Sequence, residues 1–121
     1  AMLRRGGLDL ADRNAGNCWM RNLVAMCEQV AAGELRGGVA ILPAVDDALV
    51  LANKVSRGRA AAPLSGDALA DATRRFGVNV LLIDHSSRTL HEIQTMLRGF
   101  VPGQAGSDVG LMGLIGRLDG E

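Results

Sequence analysis

No tyrosine occurs in this sequence, and the aromatic side chains are Trp19, Phe76 and Phe100 alone. Few rings are left for stacking bases, which counts against single-strand or RNA recognition of the stacking type. Excess charge of either sign is also missing: Lys plus Arg number 13 and Asp plus Glu number 13. No block of like charge stands out, so nothing draws the chain to nucleic acid or to an anionic membrane. The only basic clusters are Arg4-Arg5, Arg57 with Arg59, and Arg74-Arg75. Long apolar runs are absent too, and none approaches the roughly 20 residues that span a bilayer.

Cysteine is scarce. Cys18 and Cys27 carry no CxxC or His-rich spacing, so zinc is not expected. On one helix they would point to opposite sides, which argues against a disulfide between them. Both read as reduced and partly buried, in a cytoplasmic protein. No signal peptide is visible, because Arg4-Arg5-Gly6-Gly7 is not followed by an unbroken apolar region. Ala1 before Met2 reads as a cloning remnant, the mark of a domain excised from a larger protein.

The 121 residues suffice for one domain with one core. Residues 1–8 read as a flexible start, 9–100 as an α/β core, and 101–121 as a Gly-rich apolar tail. A helix is expected over 17–32, with Trp19/Met20, Leu23, Met26/Cys27 and Val30 at helical spacing. Asp9, Asp12, Asn14 and Asn17 all offer themselves as its cap. Val39-Ala40-Ile41-Leu42 reads as a central strand. Pro43 then opens a helix running to Ser56, with Asp46-Asp47 in its first turn. Residues 60–64 suggest a short edge strand, since Pro63 would disturb a central one. Ser65 to Asp67 cap a helix that Gly77 ends, with Leu69, Ala72 and Phe76 inward.

The stretch from Val78 to Ser87 organises the chain. An apolar run delivers Asp84 and then small polar residues, the pattern of a buried strand handing over to a helix. That helix is expected over 89–98, with Leu90, Ile93 and Leu97 inward and Met96 at the margin. Residues 109–116 are apolar with a Gly every third position and fit either a strand or a helix. Alternating strands and helices imply right-handed crossovers and a parallel sheet covered on both faces. The expected fold is α/β: a small three-layer, Rossmann-like domain with a mostly parallel three- or four-stranded sheet and an extra N-terminal helix.

Motifs for nucleotide binding and for a nucleophile elbow are missing. In open α/β sheets ligands gather at the carboxyl ends of strands. The candidate ligand residues are therefore Asp84, His85, Ser86 and Ser87, with Asp46 and Asp47 as partners in a hard-cation site. The competing structural reading has Asp84 capping the next helix and Asp46/Asp47 complementing a helix dipole. Ser86-Ser87-Arg88 offers hydroxyls and a cation to an anion at that helix start. His91 reads as a solvated surface residue.

Two local resemblances bear on this edge. Val80 to Leu90 resembles the first strand and helix of response-regulator receiver domains, although His85 stands in the place of their second acid. The strand at 39–42 followed by Asp46-Asp47, then Asp84 after the strand at 78–83, is similar to the element order of the Toprim domain. That family has a Glu where Pro43 stands and an Asp where Ser86 stands. Either resemblance implies a cation-binding carboxyl edge in degenerate form.

The leading functional expectation is a non-enzymatic protein-interaction or regulatory module, self-associating or docking a partner protein. Its expected interface is Trp19, Met20, Leu23 and Met26 with Leu111, Met112, Leu114 and Ile115. The alternative is a small-ligand or divalent-cation binding domain at the carboxyl edge. No cofactor is expected, and neither a nucleic-acid partner nor a membrane.

Overall fold

The computed structural model describes residues 2–5, 8–11 and 19–120. The expected start at 1–8 holds β1 (Met2–Arg5) and the first residue of β2 (Leu8–Ala11), which runs on into the expected core. They pair antiparallel, with Met2 opposite Ala11 and Arg5 opposite Leu8. Asp9, offered as an early helix cap, lies in β2. Asp12, Asn14, Asn17 and Cys18 lie outside the described residues.

Helix α1 (Trp19–Ala31) follows, then β3 (Gly38–Leu42), α2 (Asp46–Lys54), β4 (Ala60–Ala61), α3 (Gly66–Phe76), β5 (Val80–Asp84), α4 (Leu90–Gly99) and α5 (Val109–Leu118). The second sheet has the order β3-β5-β4, with every pair parallel. β5 is its centre. Val80, Leu81, Leu82 and Ile83 are all buried, as a strand covered on both faces must be.

Two apolar clusters lie on the two faces of that sheet. Leu23, Met26, Cys27 and Val30 of α1 and Ala48 and Ala52 of α2 pack on Leu42, Val80 and Leu82. On the other face Leu69 of α3 and Met96 of α4 pack on Leu81 and Ile83. The result is three layers, α/β/α. The chain crosses from β3 to β4 past β5, with α2 on the first face. It then returns from β4 to β5 with α3 on the second. Opposite directions on opposite faces give both crossovers the same hand, as parallel β-α-β units require.

Local chemistry places the helix ends. Ser65 accepts from the Ala68 N–H, and Gly77 closes α3 at φ 70°, a left-handed position that suits glycine. A Cβ at Gly77 would also clash with the Gln104 carbonyl oxygen. Thr89 and Glu92 form a reciprocal capping box at the start of α4.

Several expected placements change. Pro43 does not open α2, which begins at Asp46 behind Val45. Leu90 points outward, and Met96, not Leu97, is the residue of α4 that is fully inward. The helix starts one residue later than expected, so Leu90 is its first residue, and Ile93 and Leu97 pack half-buried beside Met96. The stretch at 109–116 is helical, started by Asp108, whose carboxylate accepts from the Leu111 N–H.

Candidate functional site

β3 and β5 are neighbours, yet β3 hands over to α2 on one face and β5 to α4 on the other. Loops diverging from adjacent parallel strands leave a crevice at their carboxyl ends, the place where such sheets gather ligands. Leu42-Pro43 and Asp84-His85-Ser86 stand there. The sequence therefore placed Asp84 at the correct edge, and the topology makes it the switch point of the sheet.

Hydrogen bonds occupy this edge. The His85 N–H donates to the Leu42 carbonyl at 2.9 Å. The Ser86 N–H donates to Asp84 Oδ1 at 2.9 Å. Ser86 Oγ lies 2.6 Å from Asp84 Oδ1 and 3.0 Å from the Pro43 carbonyl oxygen. A hydroxyl has one proton, and the shorter, charge-assisted contact to the carboxylate takes it. The Ser86 hydroxyl, then its N–H, with lesser help from Ser87, hold the Asp84 carboxyl below its usual range.

Asp84 is thus an acceptor in an Asx turn. It does not cap α4, since Thr89 does. Ser86 and Ser87 likewise precede the helix and are not at its N-terminus, so the expected anion position loses its helix end. An aspartate stabilised as carboxylate is a weak base toward a serine hydroxyl, so Asp84–Ser86 lacks the basicity of a nucleophile–base pair. His85, Ser86 and Ser87 are exposed.

Asp46 and Asp47 are exposed in the first turn of α2. Val45 supplies no side-chain cap there, so the two acids compensate the positive helix end. Among the described residues no group of three or more His, Cys, Asp and Glu side chains could hold a metal ion. Asp84, Asp46 and Asp47 therefore do not combine into a cation cage.

The apolar candidates divide differently. Leu23 and Met26, expected at an interface, are turned into the core with Cys27 and Val30. They share the α1 face that meets the sheet, and Met26 lies against Gly38. Trp19 is half-buried on the same cluster, and Met20 is exposed. Burial also pushes the Cys27 thiol up to about 11, with Glu28 adding to it.

On α5 no residue is buried. Leu111, Met112 and Ile115 are half-buried toward the domain, and Leu114 is 53 % exposed. Val109 at 86 % and Leu118 at 82 % join Leu114 in solvent. An open cleft of about 360 Å³ runs under this helix, between Leu111, Ile115 and Leu118 on one side and Asn53, Ala60 and Phe76 on the other. A second, more polar cleft of about 630 Å³ lies among Glu28, Lys54, Arg57 and Asp119.

Sequence reasoning missed Asn53 and Asn79. Asn53 Nδ2 donates to the Leu49 and Ala60 carbonyls, and its Oδ1 accepts from the Ala60 N–H at 2.9 Å. Asn79 is buried and clamps the loop before β4. Its Oδ1 accepts from the Arg59 N–H at 2.8 Å, and its Nδ2 donates to the Arg57 carbonyl at 2.9 Å.

No protein-family model matches this chain, and no curated protein matches it. No helix among the described residues is long and apolar enough to cross a membrane.

Proposed function

We propose that this domain is a non-enzymatic protein-interaction module that self-associates through α5. The observation that carries the reading is the uncovered state of that helix. Its sequence, VGLMGLIGRL, is apolar apart from Arg117, which is exposed on the outward side between Gly113 and Gly110. A helix this apolar belongs in an interior. Here Val109, Leu114 and Leu118 face solvent, and no residue of α5 is buried. Large apolar side chains exposed together on one short helix are characteristic of contact sites between proteins. Gly110 and Gly113 lie on the same outward side, and no atom would crowd a Cβ at Gly113, so a second helix can approach closely.

The test is light scattering on the full chain carrying Leu114→Lys and Leu118→Lys, compared with wild type. Both residues are exposed, so folding should be little changed, within about 0.5 kcal/mol. The reading expects the double variant to have a lower mass than wild type at equal concentration. Equal masses, with both chains folded, would sink it.

A second reading, ligand binding at the carboxyl edge, is favoured by the switch point between β3 and β5. A thermal-shift screen with divalent cations, phosphate and nucleotides addresses it. A ligand at a hundredfold excess over Kd should add about 2.7 kcal/mol. A silent screen, together with a silent Asp84→Asn, would remove it.

A further inference from the structure

Helix α5 is held firmly at its start and loosely beyond it. The Ser107 N–H and Oγ both donate to the Arg74 carbonyl at 2.9 Å, and the Asp108 N–H donates to the Arg75 carbonyl at 3.0 Å. These carbonyls belong to the last turn of α3, where a helix leaves them without internal partners. Asp108 Oδ2 also lies 3.7 Å from Arg75 Nη2. A Cβ at Gly106 would clash with the Phe76 Cα and the Arg75 carbonyl oxygen, so the strap at 106–108 lies close on α3. At the far end the exposed Ser56 hydroxyl donates to the Asp119 carbonyl at 3.1 Å. Between these points no residue of α5 is buried. The cleft of about 360 Å³ runs between its Leu111, Ile115 and Leu118 and the Asn53, Ala60 and Phe76 below. The helix is also weak in itself. Gly110, Gly113 and Gly116, the poorest helix formers after proline, take three of its ten positions. A helix this short is marginal without tertiary support.

We infer that α5 is a lid that opens over this cleft as a unit, unwinding and pivoting on the strap at 106–108 while the rest of the domain stays folded. The strap keeps its bonds in the open state, because they are made to α3 and not to α5. The bond from Ser56 to the Asp119 carbonyl is the latch. Opening uncovers Leu111 and Ile115 together with Ala60 and Phe76, apolar surface that the closed lid covers in whole or in part. Regions with few buried contacts and exposed hydrogen bonds open at a small fraction of the global unfolding free energy, in cooperative units. The inference rests on how α5 is held and not on self-association.

The experiment is amide hydrogen exchange followed by NMR on the full chain, diluted until protection no longer changes with concentration. Protection that does change with concentration reports self-association, so the two readings fail separately. The amides from Met112 to Leu118 should share one protection factor, about a hundredfold or more below that of β5, with little dependence on urea. Ser107 and Asp108 should exchange with the core. Ser56→Ala should speed exchange across α5 roughly two- to tenfold, the worth of one hydrogen bond. Gly113→Ala, where no atom would meet the new Cβ, should slow it about fivefold by favouring the helix. Both should leave β5 unchanged, and circular dichroism checks each fold. Equal protection in α5 and β5, protection that fades steadily toward Leu118, or Ser107 and Asp108 opening with α5 would each overturn the lid. So would a folded Ser56→Ala or Gly113→Ala chain whose α5 exchanges as in wild type.

Discussion

Removing the Asn79 side chain should loosen the loop that carries the chain from α2 into β4. The carboxamide makes two hydrogen bonds, to the Arg59 N–H at 2.8 Å and the Arg57 carbonyl at 2.9 Å. Together they hold Arg57 at φ 68°, a left-handed position that costs a non-glycine residue about 1–2 kcal/mol. A hydrogen bond contributes about 0.5–1.5 kcal/mol net, and a buried group left without its partner costs about 1–3 kcal/mol. Arg57 is exposed and Arg59 half-buried, so water replaces part of what Asn79→Ala removes. The expected loss is about 2–3 kcal/mol. At about 4 °C per kcal/mol for a chain of this size, Tm falls by roughly 8–12 °C. Urea unfolding followed by circular dichroism should show a lower midpoint with an unchanged slope.

Asn79→Asp sharpens the test. The Arg59 bond survives, but a carboxylate oxygen now faces the Arg57 carbonyl. Burial and that carbonyl raise the folded pKa of the new carboxyl above its unfolded value. Its stability contribution is then present below the unfolded value, about 4, and is lost as pH rises through the folded value. The gap to wild type should therefore close at acid pH and open toward neutrality. A loss under about 0.5 kcal/mol for Asn79→Ala, or a gap for Asn79→Asp that ignores pH, would refute the clamp.

Four further outcomes rest on the same kind of local chemistry. Gly77→Ala combines the left-handed φ with the close Gln104 carbonyl and should cost about 2–4 kcal/mol in urea unfolding. Thr89→Ala removes the cap of α4 and should cost about 1 kcal/mol. The Thr89 N–H, then its hydroxyl, hold Glu92 below its usual carboxylate range. Its stabilisation is therefore present above that range and lost as pH falls through the lowered value, and Glu92→Gln should flatten this part of the acid limb. The Cys27 thiol should resist alkylation near neutral pH in the folded chain and react once urea unfolds it. Because its folded value lies near 11, its stabilisation is present below the unfolded thiol range and is lost as pH rises toward 11.

The central strand was legible because a run buried on both faces is a run of apolar residues, and 80–83 is one. The ends of α3 were legible because Ser65 and Gly77 act through neighbours in sequence. Asp84 was read at the right edge but in the wrong role: whether an aspartate caps a helix or closes a turn depends on where the helix begins, and Thr89 decides that. In α4, Ile93 and Leu97 were read inward and do pack on the core, while Leu90, the first residue behind the cap, is exposed. Leu23 and Met26 read equally well as core or surface, since helical spacing defines a stripe without saying what it meets. Asn53 and Asn79 gave no signal, because their partners in the loop and strand at 57–60 lie 7 to 22 residues away and only the folded loop brings them within reach.

The mass of the folded chain in solution tests self-association most directly. Light scattering on the full chain reads α5, whose Val109, Leu114 and Leu118 face solvent. Self-association through α5 predicts a dimer that Leu114→Lys and Leu118→Lys convert to a monomer. A folded wild-type chain that stays monomeric up to its solubility limit would contradict it.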